Sequence, residues 1–244
     1  WKQEAHVLPA CVDCHEPHRV RKVFYDQGMA NHDCLRCHEQ RDITASRDRR
    51  SLYVDSIIVA GSMHAKQACS QCHTGVSPSR RRPCETLTRK VDCAACHAEI
   101  GQQYQVSTHG QLAAKSDSTA PTCKQCHGTH GVLGKRDPRS PSFPSRIPAL
   151  CAQCHRTGQK AAVRYTGVET EIVERYVESI HGKGLAESGL VVTATCTSCH
   201  TAHSVLPRDS TNSSVNRNNL PATCGACHAG IEKQFAQSIH AAGI

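Results

Sequence analysis

Large apolar side chains are scarce in this 244-residue chain: aromatics make up 4% of it, with one Trp, three Phe and five Tyr. Side chains this small bury too little surface to offset the conformational entropy of folding. Something else must fill the interior. Long apolar runs are missing as well, so no transmembrane helix of the usual ~18 residues or more is expected. The chain opens at Trp1 rather than Met, without a charged and apolar leader. That suits a mature, exported protein whose signal peptide has been removed, or a fragment.

Cysteine and histidine are abundant, at 17 each. A disulfide scaffold would be the usual inference from so much cysteine, but 16 of the 17 fall into eight copies of CxxCH. The first four are Cys11/Cys14/His15, Cys34/Cys37/His38, Cys69/Cys72/His73 and Cys93/Cys96/His97. The other four are Cys123/Cys126/His127, Cys151/Cys154/His155, Cys196/Cys199/His200 and Cys224/Cys227/His228. This is the attachment signature of c-type haem. Two thiols one helical turn apart can each add to a haem vinyl group, and the following His lies under the iron and ligates it. Zinc sites do not require His after the second Cys every time, and eight dithiol motifs in one chain would be odd. The expected cofactor is therefore eight haem c with their iron. Cys84 is the odd cysteine, read as a buried free thiol, with an intermolecular disulfide or a reactive thiol as the alternatives.

Nine histidines remain: His6, His18, His32, His64, His109, His130, His181, His203 and His240. They recur at fixed positions. His6 and His64 each precede a motif by five residues, while His109 and His181 precede one by 14 and 15. CxxCH is extended to CxxCHxxH at His18, His130 and His203, and the last two lie 21 residues before the next motif. The gap is 12 from His97 to His109 and from His228 to His240, and 26 from His38 to His64 and from His155 to His181. Short and long motif spacings alternate, so the repeating unit holds two haems. We read one multihaem domain over 1–244, built of four units at about 6–63, 64–108, 109–180 and 181–239. The second unit departs from the pattern, because Val76 stands where the extension His belongs. His32 is the candidate substitute.

Residues three apart on a helix stand about 5–6 Å apart at Cβ, less than the width of a haem. His18, His130 and His203 should therefore serve a different haem from the one held by the motif His beside them. Each would clamp two haems together. Tyr104-x-x-Ser-x-His109, Tyr176-x-x-Ser-x-His181 and Phe235-x-x-Ser-x-His240 share one frame. The four-residue spacing of Val168, Ile172, Tyr176 and Ile180 predicts a helix over 166–181, ended by Gly182 and presenting His181 at its C-terminus. Segments 110–121, 134–148 and 207–222 read as polar loops. The formal charge is +8, but each oxidised bis-His haem with its two propionates adds about −1, which brings the total near zero. Basic runs at 47–50 and 80–82 suit haem propionates or solvent better than nucleic acid.

On these motifs the whole chain resembles the multihaem c-type cytochromes of respiratory electron transfer, including the extracellular cytochrome filaments called nanowires. The resemblance implies export of the apo-chain, haem attachment in the periplasm or outside the cell, and mostly bis-His haems. It also implies redox proteins or an extracellular acceptor as partners. The expected fold is mostly irregular, with short α-helices and little or no β, wrapped around a continuous haem chain. The expected function is electron transfer rather than catalysis, with no catalytic residues. His240 opens a fifth unit by the same spacing: either the chain is truncated, or His240 ligates a haem in this subunit, or it is donated as an axial ligand to a neighbouring subunit of a polymer. The alternative is an octahaem reductase of the nitrite, hydroxylamine or tetrathionate type, with one open haem.

Overall fold

The computed structural model describes residues 30–45, 48–74, 90–165, 167 and 169–241. His6, Cys11, Cys14, His15, His18, Val76 and Cys84 lie outside the described residues. The chain divides into two compact units, Trp1–Cys93 and Ala94–Ile244. Among the described residues there is no strand, only an isolated antiparallel bridge between Thr44 and Ser51. Short helices joined by loops make up the rest. No described helix is long and apolar enough to cross a membrane.

The described part of the first unit holds α1 (Asn31–His38), α2 (Ser56–Ala60) and α3 (Cys69–Cys72). Asp55 caps α2 by accepting from the Ile57 and Ile58 amides at 2.9 and 3.3 Å, which satisfies donors that a helix start leaves unpaired. Asn31 joins α1 to the start of α3. Its side-chain oxygen accepts from the Cys69 amide at 2.8 Å and its side-chain nitrogen donates to the Gln67 carbonyl at 2.9 Å. Two CxxCH motifs 35 residues apart in sequence are thus pinned side by side.

A 3-10 turn at Cys93–Ala95 precedes the second unit's helices: α4 (Ala98–Val106), α5 (Thr108–Ala114), α6 (Cys123–His127), α7 (Ile147–His155) and α8 (Lys160–Arg164). The series continues with α9 (Ile172–Glu178), α10 (Ile180–Ala186), α11 (Cys196–His200), α12 (Leu220–Gly225) and α13 (Ala229–Ala236). Helices α4, α5, α6 and α7 return as α9, α10, α11 and α12. In place of one helix over 166–181 ended by Gly182 there are two. Helix α9 starts only at Ile172 and α10 runs on from Ile180 to Ala186, so His181 stands at a helix start and Gly182 inside the helix. Ser179 ends α9 in extended geometry, with φ −69° and ψ 163°, and its hydroxyl caps α10 by accepting from the Gly182 amide at 3.1 Å. Ser107 does the same between α4 and α5, with φ −71° and ψ 159° and a 3.0 Å bond from the Gly110 amide. The polar stretch after His109 is accordingly helical up to Ala114 rather than a loop. A serine competes well for such a junction because its short hydroxyl reaches nearby backbone groups.

The other two polar segments have an order of their own. Between Gly134 and Arg146, amides donate three residues back in succession: Asp137 to Gly134, Ser140 to Asp137, Phe143 to Ser140 and Arg146 to Phe143. Pro207, Ser210, Ser213, Asn216 and Asn219 repeat that ladder of turns. Its middle serine is buried in each copy, Ser140 at 1% and Ser213 at 2% exposure, and donates to the carbonyl of Leu133 or Leu206 at 3.3 or 3.2 Å. Consecutive turns explain the Pro, Ser and Asn content.

The interior is correspondingly polar and small. Among the described residues only Ala152, Val173 and Leu185 are buried apolar side chains, whereas Ile57, Ile180, Val192 and Ile239 are more than four-fifths exposed. Close backbone approach does more here than side-chain volume. Gly182 lies under Tyr176 and Val177, and a Cβ added there would collide with their backbone. A Cβ on Gly184 would meet Thr193 Oγ1 at an ordinary 3.6 Å. Gly182→Ala should therefore cost more than about 2 kcal/mol in thermal or urea unfolding. Gly184→Ala should be neutral or stabilise by up to ~1 kcal/mol, the ordinary gain of Ala over Gly in a helix.

Candidate haem-binding sites

The CxxCH motifs are built in two ways. Among the described residues, those that open a unit are short helices starting at their first cysteine: α3, α6 and α11. In each, the residue before the second cysteine reaches back to the amide preceding the first. Gln71 Oε1 accepts from Ala68, Gln125 Oε1 from Thr122 and Ser198 Oγ from Thr195, at 2.8, 2.9 and 3.0 Å. Of the motifs that close a unit, those at Cys151 and Cys224 continue from longer turns and begin with a proline in the first helical turn, Pro148 in α7 and Pro221 in α12. Proline is well placed there because no intrahelical donor is lost.

The expectation of two thiols one turn apart on a helix needs correcting at two of the closing motifs. Cys37 on α1 and Cys154 on α7 do share a helix with the first cysteine of their motif, Cys37 exposed and Cys154 half-buried. Cys96 and Cys227 do not. Cys96 stands in the turn after the 3-10 segment Cys93–Ala95, and Cys227 in the turn after α12 ends at Gly225. Both are exposed. The cause is the helix that follows each motif. His97 and His228 leave helical geometry, with φ −105° and ψ 54° and φ −111° and ψ 49°, to start α4 and α13. At Cys227 the turn still keeps the three-residue reach, since its amide donates to the Cys224 carbonyl at 3.2 Å. The described cysteines form no disulfide.

Three pairs of imidazoles face one another. His109 and His155, His127 and His203, and His181 and His228 each have ring centroids 6.1 Å apart, with interplanar angles of 51°, 25° and 34°. Each pair joins one CxxCH histidine to one of the nine additional histidines. A first-row metal ion bound to two imidazole nitrogens at about 2 Å each, with each ring centre a little over 1 Å further out, separates the centroids by about 6 Å. The spacing therefore fits one iron with an imidazole on each face. Among the described residues no three His, Cys, Asp or Glu side chains converge on a metal position. A pair of imidazoles is the axial donor set that an iron held in a macrocycle would use.

The protonation states fit the same use. Burial lowers the pKa of His109, His127, His155 and His203 below the ordinary imidazole value. A facing or nearby His adds to this at the first three: His155 for His109, His203 and His97 for His127, and His200 for His155. Neutral imidazole is the form that ligates metal. At His38 the ring nitrogen Nδ1 lies 2.8 Å from the Leu52 carbonyl, which leaves Nε2 for a metal once Nδ1 carries the proton.

The cysteines also meet across motifs. A hydrogen bond from Cys34 lowers the Cys69 thiol to about 7, and one from Cys151 lowers the Cys196 thiol likewise to about 7. In both cases the second motif of one repeat touches the first motif of the next through the first cysteine of each. The second cysteines, Cys37 and Cys154, take no part in these hydrogen bonds.

His203 does not face His200, three residues away, but His127 of the preceding repeat. His109 and His181, in contrast, each face the closing motif of their own repeat. His64 lies in the turns after α2, His73 caps the C-terminus of α3, His97 caps the N-terminus of α4, and His130 follows α6. His32 is on α1, its Nε2 3.2 Å from Asp33 Oδ1. His240 is exposed just beyond α13, in the third aromatic-x-x-Ser-x-His frame. Sequence reasoning noted these serines and glycines in the shared frame but not that they divide one helix into two and so set His109 and His181. The signal was present, since Ser-x-His-Gly occurs at both places. No protein-family model, curated protein or solved structure matches the chain.

The pairing has a spectroscopic consequence. In haem-loaded protein His203→Ala should turn one iron high-spin in the EPR spectrum. Removing Cys123 and Cys126 in the same chain should abolish that signal, and removing Cys196 and Cys199 should leave it. The opposite dependence would mean that His203 serves the motif beside it.

Proposed function

We propose that the chain is an octahaem c-type cytochrome that carries electrons through a line of covalently held, mostly bis-His haems. The observation that carries this reading is the set of three facing imidazole pairs, each at the spacing of an axially ligated iron. The sixteen motif cysteines would hold the eight groups by thioether bonds. The motif histidines would supply one axial nitrogen and the additional histidines the other. When bound, the haem supplies a one-electron iron couple whose potential follows its ligands, burial and hydrogen bonds. Two imidazoles held on either side of the metal change little between oxidation states, which favours electron transfer over substrate binding.

The exposed isoleucines and valines, together with the near-absence of buried apolar side chains among the described residues, support a structure that closes around porphyrin. Thioether attachment belongs to exported chains, so the periplasm or the cell exterior is the proposed location. The proposed partners are other redox proteins or an extracellular acceptor. His240, exposed in its frame, is the candidate donor to an iron beyond this stretch of chain, including that of a second copy in an end-to-end filament. A second reading, a redox enzyme with one open haem, is favoured by one observation. Among the described residues no imidazole faces His200 at the spacing of the three pairs.

Intact-mass analysis of the matured protein should find eight thioether-bound haems per chain; any other tetrapyrrole count overturns the proposal. A wholly low-spin ferric spectrum supports the carrier. A high-spin iron at Cys196/Cys199 with turnover of nitrite or hydroxylamine would establish the enzyme instead.

A further inference from the structure

We propose that Ser107 and Ser179 are positioning residues that aim an axial histidine at iron, an inference that rests on the haem reading above. The elbow at Ser179 is fixed from several sides. Its amide donates to the Tyr176 carbonyl at 3.1 Å and its hydroxyl donates to the same carbonyl at 2.6 Å. That hydroxyl also accepts from the Gly182 amide, and the Ser179 carbonyl accepts from the Lys183 amide at 2.9 Å. His181 thereby becomes the second residue of a helix whose first turn is locked at both ends. Gly182 permits the close approach, because a side chain there would strike the Tyr176 carbonyl.

Ser107 repeats this geometry around His109. Its hydroxyl donates to the Tyr104 carbonyl at 2.6 Å and accepts from the Gly110 amide at 3.0 Å. The aromatic residue extends the anchor. Tyr176 donates its hydroxyl to the Ala194 carbonyl at 3.0 Å, and Tyr104 to the Pro121 carbonyl at 2.7 Å. Both carbonyls lie two residues before a CxxCH helix. The ligand of one haem and the attachment helix of the other motif in the same repeat are therefore held as one body. Neither serine touches the metal position; each sets the backbone angle from which the imidazole reaches it. An N-cap that served stability alone would not need to recur with the same dihedral angles, two residues before the histidine of a facing pair. A histidine free to swing would let an outside ligand take its place.

The test is cyanide displacement of the axial His in the oxidised, fully matured chain. Ser179→Ala should keep eight haems by mass, yet bind cyanide at one iron about tenfold faster than the parent, the usual scale for loss of a residue that orients a ligand. That iron should be the one at Cys224/Cys227. Ser179→Thr, which retains a capping hydroxyl, should restore the parent rate. Should Ser179→Ala fail to accumulate, Ser179→Gly removes the hydroxyl at a smaller capping cost and carries the same expectation. A lowered Tm with an unchanged cyanide rate would overturn the proposal, as would acceleration in the Thr variant equal to that in the Ala variant. A parent protein without haem would instead overturn the function proposed above.

Discussion

Two imidazoles held with their ring centres 6.1 Å apart need backbone on both sides that cannot drift. Much of the described structure in the second unit answers that demand. The three pairs join residues 46, 76 and 47 positions apart. A bond closing loops of that length removes about 4 kcal/mol of chain entropy from the unfolded state per closure. On the proposed reading, iron-to-histidine bonds supply these closures, and a chain with almost no apolar core becomes stable without enlarging one. The pairs also interlock the repeats. His109–His155 and His181–His228 close within one repeat, whereas His127–His203 ties one repeat to the next.

With so few bulky side chains, rigidity has to come from short-range polar geometry. The fully buried side chains among the described residues are serines: Ser107, Ser140 and Ser213. Each bonds to backbone, so burial leaves no hydroxyl unpaired and carries no large desolvation cost. A buried serine of this kind holds two backbone segments at one distance, and in an elbow or a turn ladder that is the function required. Larger apolar residues would push the segments apart. On the proposed reading the exposed Ile and Val side chains complete the division of labour, with hydroxyls fixing backbone to backbone and aliphatic surface left to face porphyrin.

Much of this plan was legible in the residues, and the rest failed for identifiable reasons. The CxxCH spacing and the recurrent gaps of 12, 21 and 26 residues mark the additional histidines as a set. The i, i+3 argument requires His203 to serve a haem other than that of His200, and the structure sets it opposite His127. Spacing alone could not name that partner, because several motifs lie within reach of a flexible 76-residue segment. The helix over 166–181 misled because its apolar four-residue period runs through Ser179 unbroken. Ser179 ends one helix and starts another without shifting the pattern. Identical spacing likewise hid the difference between Cys154, inside a helix, and Cys96 and Cys227, in turns, because it is the helix after the motif that decides. The turn ladders at 134–146 and 207–219 were hidden because each turn is ordinary, and only their succession at three-residue steps makes an element.

On the proposed reading, the contacts between cysteines bear on how neighbouring motifs meet. Cysteines attach at one edge of a porphyrin, whereas axial histidines approach its faces. The approach of Cys151 to Cys196, and of Cys34 to Cys69, would then place the attachment edges of two haems near each other. His203 acts differently: it faces His127 from the loop directly after His200, and so couples two rings through a shared stretch of backbone. Both devices meet at the junction of the third and fourth repeats, where the Cys151–Cys196 contact and the His127–His203 pair act together. On that reading ligand spacing, rather than hydrophobic pattern, carries the architecture of a chain this poor in aromatic residues.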